Sequence, residues 1–215
     1  MNKLTRILDK IFVSLCIILI VICGGYLVFT FFTANQQNNI VQGEIAEWSN
    51  LPVVNEQTAE GSDNSEEVDI NFDDNSKLWG TVEIPSQGIL GPISAISDWE
   101  LLWNYVVPFA NSDLPEVSGG NYSLASHWGG GPWCSYCYFR DIDQLKIGDQ
   151  IIITDRSNIY TYQLYKNPQV VMEDEVEVLD RIEGQTTLTL ITCVQADDPR
   201  RTVVHAKLIA VEPRG

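Results

Sequence analysis

The pattern of apolar and polar positions divides the chain into three parts. Residues 11–34 carry no charged side chain and are mostly apolar, whereas residues 35–76 are rich in Asn, Gln, Ser, Asp and Glu. From residue 77 onwards, short apolar runs alternate with turn residues, a pattern typical of β-strands. The pattern therefore predicts a membrane helix, an acidic linker and a folded domain over residues 77–215.

The uncharged run of residues 11–34 favours a transmembrane signal anchor. About 20 apolar residues suffice to cross the hydrocarbon core of a bilayer. A cleaved signal peptide would have a shorter apolar region of roughly 7–15 residues and a small-x-small cleavage site. Basic residues precede the run, at Lys3, Arg6 and Lys10. We therefore expect residues 1–10 in the cytoplasm, one membrane span and the remainder of the chain outside the cell.

The linker over residues 35–76 is predicted to be an extended stalk. It contains no Lys or Arg between Glu44 and Asp74, and it holds too little apolar surface to offset the entropy lost on ordering. Its first part, residues 35–46, could extend the membrane helix. The alternative is an ordered appendage that packs on the folded domain, with Trp48 or Phe72 as its anchor.

Composition excludes one class of partner. The net charge is -16 and the sequence pI is about 4.3, whereas binding to nucleic acid requires clustered Lys and Arg. We expect no nucleic-acid partner.

The folded domain is predicted to be all-β, a barrel or sandwich with one or two short helices. One helix is predicted over residues 98–105, with Ser97 or Asp98 as the N-cap, and one helical turn over 141–147. The predicted strands cover residues 79–85, 88–93, 121–126, 150–154, 160–166, 168–172, 187–193 and 201–206.

Three reactive side chains lie at the edges of predicted strands: His127, Cys193 and Arg201. A nucleophilic cysteine needs a partner that takes its proton, and histidine titrates near neutral pH. An arginine beside them could stabilise an oxyanion. Each has a plainer interpretation: a buried structural thiol, a surface histidine and a solvated charge. The polar residues 194–200 after the cysteine favour a site at the rim of the domain.

Two neighbours compete for these roles. His205 lies in the middle of a predicted strand and is assigned a structural role. Arg200 precedes Arg201, and strand alternation turns adjacent side chains to opposite faces.

Four segments resemble the sortases, the membrane-anchored cysteine transpeptidases of Gram-positive bacteria. They are Gly80–Pro85, Asn121–His127, Thr187–Cys193 and Arg201–Ala206, and the similarity extends from Leu78 to Val211. The resemblance implies the eight-stranded sortase barrel. It implies that Cys193 attacks the Thr–Gly bond of a Leu-Pro-X-Thr-Gly signal, that His127 protonates the leaving amine, and that Arg201 holds the substrate. It also implies substrate contacts by residues near the motif ends, namely Ala125, Ser126 and Thr192.

The same resemblance implies partners and a subclass. The partners are surface proteins with C-terminal sorting signals and the amine of a peptidoglycan precursor such as lipid II. One N-terminal anchor and the Ser-Leu-Ala-Ser-His motif resemble class A, the housekeeping sortases. The alternatives are a pilin-polymerising class C enzyme and an inactive barrel that only binds signals. An L,D-transpeptidase would have an arginine where Gln195 stands.

The loop after His127 contains Cys134 and Cys137 in a Cys-x-x-Cys pattern that departs from the sortase motifs. A local disulfide is predicted, since a thioredoxin-like context and further zinc ligands are missing. A mixed disulfide with Cys193 is an alternative. No cofactor is required, although some class A sortases bind calcium, and the candidate oxygen ligands are Asp113, Glu116, Glu173 and Glu175.

Overall fold

The computed structural model describes residues 3–51, 77–129, 134 and 136–214. Helix α1 runs continuously from Lys3 to Ser49. Its segment Phe12–Thr33 has a mean hydropathy of 2.8, and none of it is buried, so it is long and apolar enough to cross a membrane. Most of the predicted stalk, including Phe72, lies outside the described residues.

Within the described residues, nine strands form one sheet. They are β1 (Leu78–Ile84), β2 (Ile89–Ser94), β3 (Val107–Pro108), β4 (Asn121–Ala125), β5 (Gln150–Thr154), β6 (Asn158–Leu164), β7 (Gln169–Met172), β8 (Thr187–Cys193) and β9 (Arg200–Pro213).

The sheet closes on itself. Eight strands follow the order β2-β1-β5-β6-β9-β8-β4-β3, and β7 pairs with the first half of β9. A bridge between Ile93 at one end and Val106 at the other joins the two edges. The predicted all-β, eight-stranded barrel is therefore confirmed, and β7 extends its wall. Closure removes the free edges that an open sheet would expose.

The helices of the barrel domain are short 3₁₀ segments. The helix predicted over residues 98–105 is a 3₁₀ helix at Trp99–Trp103, and Asp98 caps it by accepting a hydrogen bond from the backbone N–H of Glu100 at 3.0 Å. Strand β3 follows only a few residues later, which leaves no room for a longer helix. The other 3₁₀ segments of the described residues are Pro85–Gln87, Ile142–Gln144 and Val176–Leu179.

Alternation along the strands decides which residues fill the barrel. In β8, Leu188 and Leu190 are fully buried in the interior, together with Val204 and Ala206 of β9. The residues between them point to the outer face of the barrel wall. Cys193 belongs to that outer set, because it is an odd number of residues from Leu190.

The end of α1 packs against the barrel, and here the structure differs from the predicted spacer. Val41, Ile45 and Trp48 are buried, at 4%, 8% and 4% exposure, and their spacing places them on one face of the helix. Trp48 packs in a cluster with neighbours on the barrel, namely Leu78, Leu101, Tyr105 and Val107. The alternative of an ordered appendage anchored by Trp48 therefore describes the end of α1, because this apolar stripe has a matching apolar surface on the barrel.

Polar contacts add to this interface. The Tyr105 hydroxyl donates a hydrogen bond to Glu44 at 2.9 Å, and burial together with this bond raises the pKa of Tyr105 to about 12. The Arg214 guanidinium lies over the Trp48 ring at 4.5 Å. The first and last parts of the described chain are thereby held together.

We expect Trp48→Ala to lower the free energy of unfolding of the detergent-solubilised full chain by about 3 kcal/mol, because a large buried ring leaves a cavity. Denaturant titration followed by fluorescence of the remaining tryptophans measures this change. Ile40→Ala is the matched control, since Ile40 is on the same helix and 57% exposed. Equal effects of the two substitutions would mean that the helix does not dock on the barrel in solution.

Candidate active site

The parallel pairing of β4 with β8 brings two strand ends to the same place. The register runs from Asn121 opposite Thr187 to Ala125 opposite Ile191. Beyond it, the N–H of Ser126 donates to the carbonyl of Ile191 at 3.3 Å, and the Thr192 hydroxyl donates to the carbonyl of Ser126 at 2.8 Å.

The next residue after each of these two strand ends has a reactive side chain. His127 follows Ser126, and Cys193 follows Thr192. Since parallel strands end at the same edge of a sheet, the imidazole and the thiol emerge side by side. Both side chains line one cavity of about 580 Å³.

The antiparallel pairing of β8 with β9 adds the third group. Cys193 is directly opposite Arg201 in the register, and side chains opposite each other have Cβ atoms about 4.5–5.5 Å apart. Arg201 lines the same cavity. The thiol, the imidazole and the guanidinium therefore converge on one surface of the barrel wall.

His127 has an apolar, aromatic environment. Its ring centroid is 5.3 Å from that of Trp103 and 5.7 Å from that of Tyr136. Its Nε2 atom is buried and has no hydrogen-bond partner among the described residues. Burial lowers the pKa of His127, because desolvation penalises the imidazolium. A neutral imidazole can take a proton from a thiol or an amine.

Cys193 is a free thiol and only partly buried. It is at the cavity wall, accessible to a substrate and outside the barrel core. This position meets the first requirement for a nucleophile, which is access to the atom that it attacks.

Arg201 is oriented by three hydrogen bonds. One terminal nitrogen donates to Glu173 at 2.6 Å, and the other donates to the carbonyls of Asp198 and Arg200 at 3.0 Å each. These three contacts hold the Arg201 side chain at the cavity that Cys193 also lines. Arg200 instead pairs with Asp198 at 2.7 Å, and its side chain is 52% exposed, so alternation separates the two arginines as the sequence predicted.

The family model for the sortase domain matches residues 82–209. The chain belongs to the sortase family. That matched region contains the barrel wall with all three converging side chains.

Individual sortases are similar to this chain. Sortase A of Streptococcus agalactiae serotype III (strain NEM316) is 33% identical over 139 residues, which cover 62% of this chain and 54% of that protein. The solved sortase A of Listeria monocytogenes is 26% identical, with a TM-score of 0.57 over 65% of this chain and 92% of that one. Sortase C-3 of Streptococcus pneumoniae, at 24% identity and a TM-score of 0.59, covers 86% of both chains and shows a shared fold. The chain spans about half the length of the curated relatives it matches.

Three residues predicted to contact the substrate of this sortase do not line the cavity. Ala125, Ser126 and Thr192 are buried, at 8%, 5% and 3% exposure. Ser126 and Thr192 face away from the cavity because strand alternation turns them opposite to their reactive neighbours. Ala125 is paired between Val107 and Ile191. These residues therefore position the strand ends, and their contact with a substrate stays a prediction.

His205 has the structural role expected for it. It is buried in the middle of β9, and its Nδ1 atom lies 3.2 Å from the Thr189 hydroxyl. That hydroxyl donates to Asn121, so it accepts from Nδ1. Burial lowers the pKa of His205 to about 4, which keeps the ring neutral at physiological pH.

The four calcium candidates of this sortase do not come together. Among the described residues no three His, Cys, Asp or Glu side chains form a metal-binding group. Asp113 pairs with Arg181, Glu173 pairs with Arg201, and Glu175 accepts a hydrogen bond from a backbone N–H. Asp113 and Glu173 therefore form ion pairs, and Glu175 stabilises a turn. Glu173 also lines the cavity, where it is the partner of Arg201.

Sequence patterns missed much of the cavity wall, including two aromatic residues that contact His127. Trp103 ends the 3₁₀ helix Trp99–Trp103, and Tyr136 stands inside the Cys-x-x-Cys pattern, so both are distant in sequence from β8 and β9. Between the described residues Cys134 and Cys137 the structure contains a disulfide, with Cα atoms 5.5 Å apart. Gly130, Gly131, Pro132, Trp133 and Ser135 of this loop lie outside the described residues.

Proposed function

We propose that this sortase is a membrane-anchored cysteine transpeptidase that cleaves a Leu-Pro-X-Thr-Gly signal between Thr and Gly. The observation that carries the proposal is that Cys193, His127 and Arg201 line one cavity. An isolated thiol or histidine would have many explanations. A nucleophile, a base and a cation at one accessible surface form the set that thiol-based acyl transfer needs.

Acylation follows from the arrangement. Neutral His127 takes the proton of the Cys193 thiol, and the sulfur attacks the threonine carbonyl carbon. Arg201 stabilises the charge that develops on the carbonyl oxygen. The C–N bond then breaks, and His127 gives its proton to the departing glycine amine. The product is a thioester on Cys193.

Deacylation reverses the roles. An incoming amine attacks the thioester carbon, and His127 accepts its proton. The C–S bond breaks, and the proton returns to the sulfur. The acyl group is now on the new amine, and the site is restored for another turnover.

A second cavity supports a peptide substrate. It has a volume of about 270 Å³, and Glu173 and Arg201 line both this cavity and the first. Its wall is largely apolar, formed by Phe109, Val171, Val176, Ile191 and Val203 among others. The apolar Leu and Pro of a sorting signal suit this groove, and Arg201 at the shared boundary would direct the Thr–Gly bond towards Cys193.

The subclass, partners and topology are part of the same proposal. The 33% identity to a sortase A favours class A over a pilin-polymerising enzyme, with surface proteins as donors and a peptidoglycan-precursor amine as acceptor. We propose that residues 1–10 are cytoplasmic, that 11–34 span the membrane, and that the catalytic domain of residues 77–215 is extracellular. The linker of residues 35–76 joins them, and its first part docks on the barrel.

Peptide exchange on intact cells tests the proposal. Cells that express the full chain are given a membrane-impermeant Leu-Pro-X-Thr-Gly peptide with a donor–quencher pair, together with an excess of a glycine-based amine. We expect cleavage between Thr and Gly and an amide product detected by mass spectrometry. Cleavage only after cell lysis would contradict the topology, and no product under either condition would contradict the activity.

The adjacent arginines offer a matched pair of variants. We expect Arg201→Ala to lower kcat/KM for peptide exchange by about 10²-fold or more, since a preorganised donor to an oxyanion contributes on that order. Arg200→Ala should change it less than about threefold, because Arg200 is absent from the cavity lining and its contribution as a surface ion pair is small. Equal losses in the two variants would contradict the assignment of Arg201.

A further inference from the structure

Three rings contact one another at the imidazole. Trp103 and Tyr136 each contact His127, and their own centroids are 5.3 Å apart in an edge-to-face arrangement. Edge-to-face contacts of this kind have a preferred geometry, so they orient the rings as well as desolvate them. The orientation of His127 thus depends on where Tyr136 is held.

Tyr136 is supplied by the Cys-x-x-Cys loop. It stands between Cys134 and Cys137, whose disulfide closes a loop of four residues around it. Its ring also packs against the hydrophobic core cluster. Cys137, the next residue in the chain, is buried at 8% exposure, whereas Trp103, the other ring in contact with His127, is 59% exposed. The anchored partner of His127 is therefore Tyr136. It is bonded directly to the buried Cys137, and the disulfide ties Cys134, on the other side of Tyr136, to the same buried residue.

A hydrogen bond also connects Tyr136 to the residue that follows β4, next to His127. The hydroxyl of Ser126, the residue before His127, donates to the carbonyl of Tyr136 at 3.3 Å. The loop therefore contacts His127 through a ring and its neighbour through the backbone. A backbone displacement at Tyr136 would disturb both contacts together.

We propose that the Cys134–Cys137 disulfide positions His127 by holding Tyr136 against the imidazole ring, which makes the sortase site sensitive to reduction by dithiols. Reduction takes two electrons and two protons from a dithiol, breaks the S–S bond into two thiols and leaves the dithiol as a cyclic disulfide. Cys134 is then released from Cys137, the backbone at Tyr136 regains freedom, and Tyr136 no longer covers His127. The consequence for turnover rests on the proposed function, whereas the consequence for the imidazole does not.

Apart from Tyr136, the titratable and charged groups around His127 lie outside the disulfide loop. The titratable and charged groups that line its cavity are Tyr136, Glu173, Cys193, Asp197, Asp198 and Arg201, and Arg140 lies near Gly129. Of these, Tyr136 belongs to the disulfide loop. Uncovering the ring adds water around the imidazole, so its pKa should rise towards the ordinary value of about 6.5.

NMR titration of the full chain in detergent tests the structural part. The chain has two histidines, so a His205→Asn variant identifies the His127 signal. The substitution Cys193→Ala removes the neighbouring thiol as a variable. We expect the pKa of His127 to rise when dithiothreitol is added, and to be high from the start in Cys134→Ser/Cys137→Ser. The pKa of His205 should not change. An unchanged His127 titration in both cases would overturn the proposal.

Activity and a second variant complete the test. We expect kcat/KM to fall about threefold to tenfold on reduction, on the order of one or two lost aromatic contacts, with no further effect of dithiol on the double-serine variant. Tyr136→Ala should reproduce the loss and the higher pKa, and Tyr136→Phe should keep the oxidised behaviour. Full activity and an unshifted pKa in Tyr136→Ala would refute the role of the ring.

The two proposals fail in different ways. A shift of the His127 pKa without any peptide exchange would refute the proposed function and leave the positioning role standing. Exchange that is unaffected by reduction, with a constant His127 pKa, would refute the positioning role alone.

Discussion

Replacement of Cys193 by alanine should abolish peptide exchange, with a loss of about 10³-fold or more. The reason is that alanine offers no atom that can form the acyl intermediate. The neighbouring groups could then only bind the peptide and polarise its carbonyl. The measurement is the rate of amide formation with the quenched peptide, together with the covalent adduct seen by intact mass when the amine is withheld. The adduct should be present in the natural chain and absent from the variant.

A matched cysteine is available as a control. Cys23 is also a free thiol, but it lies in the apolar part of α1, and Cys23→Ala should leave exchange unchanged. The structural integrity of Cys193→Ala is checked by its thermal unfolding, which should match that of the natural chain within about 1 kcal/mol because the removed sulfur is at a partly exposed rim. Full exchange by Cys193→Ala would refute the mechanism proposed above and favour a barrel that binds signals without turnover.

Replacement of His127 by alanine should cost about 10²-fold to 10⁴-fold in kcat/KM, the range attributed to a positioned general acid–base. Without the imidazole, the thiol has no local group to accept its proton and the leaving amine has no local donor. The pH dependence of kcat/KM for the natural chain should reflect the ionisation of His127. Burial lowers the pKa of His127, so the neutral base should persist to a lower pH than an exposed histidine would allow, and activity should fall only as the pH drops below about 6.5.

His205 provides the comparison for this experiment. It is the other histidine of the chain, buried in β9 and away from the cavity lining. His205→Asn should retain kcat/KM per folded molecule within a few-fold. The substitution should also make the free energy of unfolding depend less on pH in the acidic range. The pKa of the His205 ring is about 4 in the folded state, below its unfolded value of 6.5. In the natural chain this ring therefore lowers the free energy of unfolding as the pH falls from 6.5 to about 4. A comparable loss of exchange in both histidine variants would point to a general structural effect.

The barrel strands could be read from the sequence because their signal is local. Alternation and turn residues recur over a few positions, so β1, β5 and β8 begin and end close to where the pattern predicts. The apolar helix is likewise determined by its own length and composition. The three reactive residues stood out because each one terminates or opens such a segment, and the sortase resemblance rests on those same segments.

Some elements of the site had no local signal. Trp103 reaches His127 from the end of a 3₁₀ helix, and Tyr136 reaches it from the disulfide loop. The carboxylate that pairs with Arg201 comes from Glu173, directly after β7. The docking stripe of Val41, Ile45 and Trp48 was present in the sequence at helical spacing. The surrounding residues are acidic and polar, and that composition predicts a spacer.

The order of the amino acids is enough to predict the apolar anchor, the alternating strands and the three candidate groups, namely the thiol, the imidazole and the guanidinium. That these groups meet follows from the folded chain, through the parallel pairing that joins Ser126 to Thr192 across 66 positions. The tertiary structure also decided which of them face the cavity, and it brought Trp48 and Tyr136 to the barrel. The physical reason is that periodicity specifies which face of a strand is apolar, whereas the choice of neighbouring strand depends on the closure of the whole sheet.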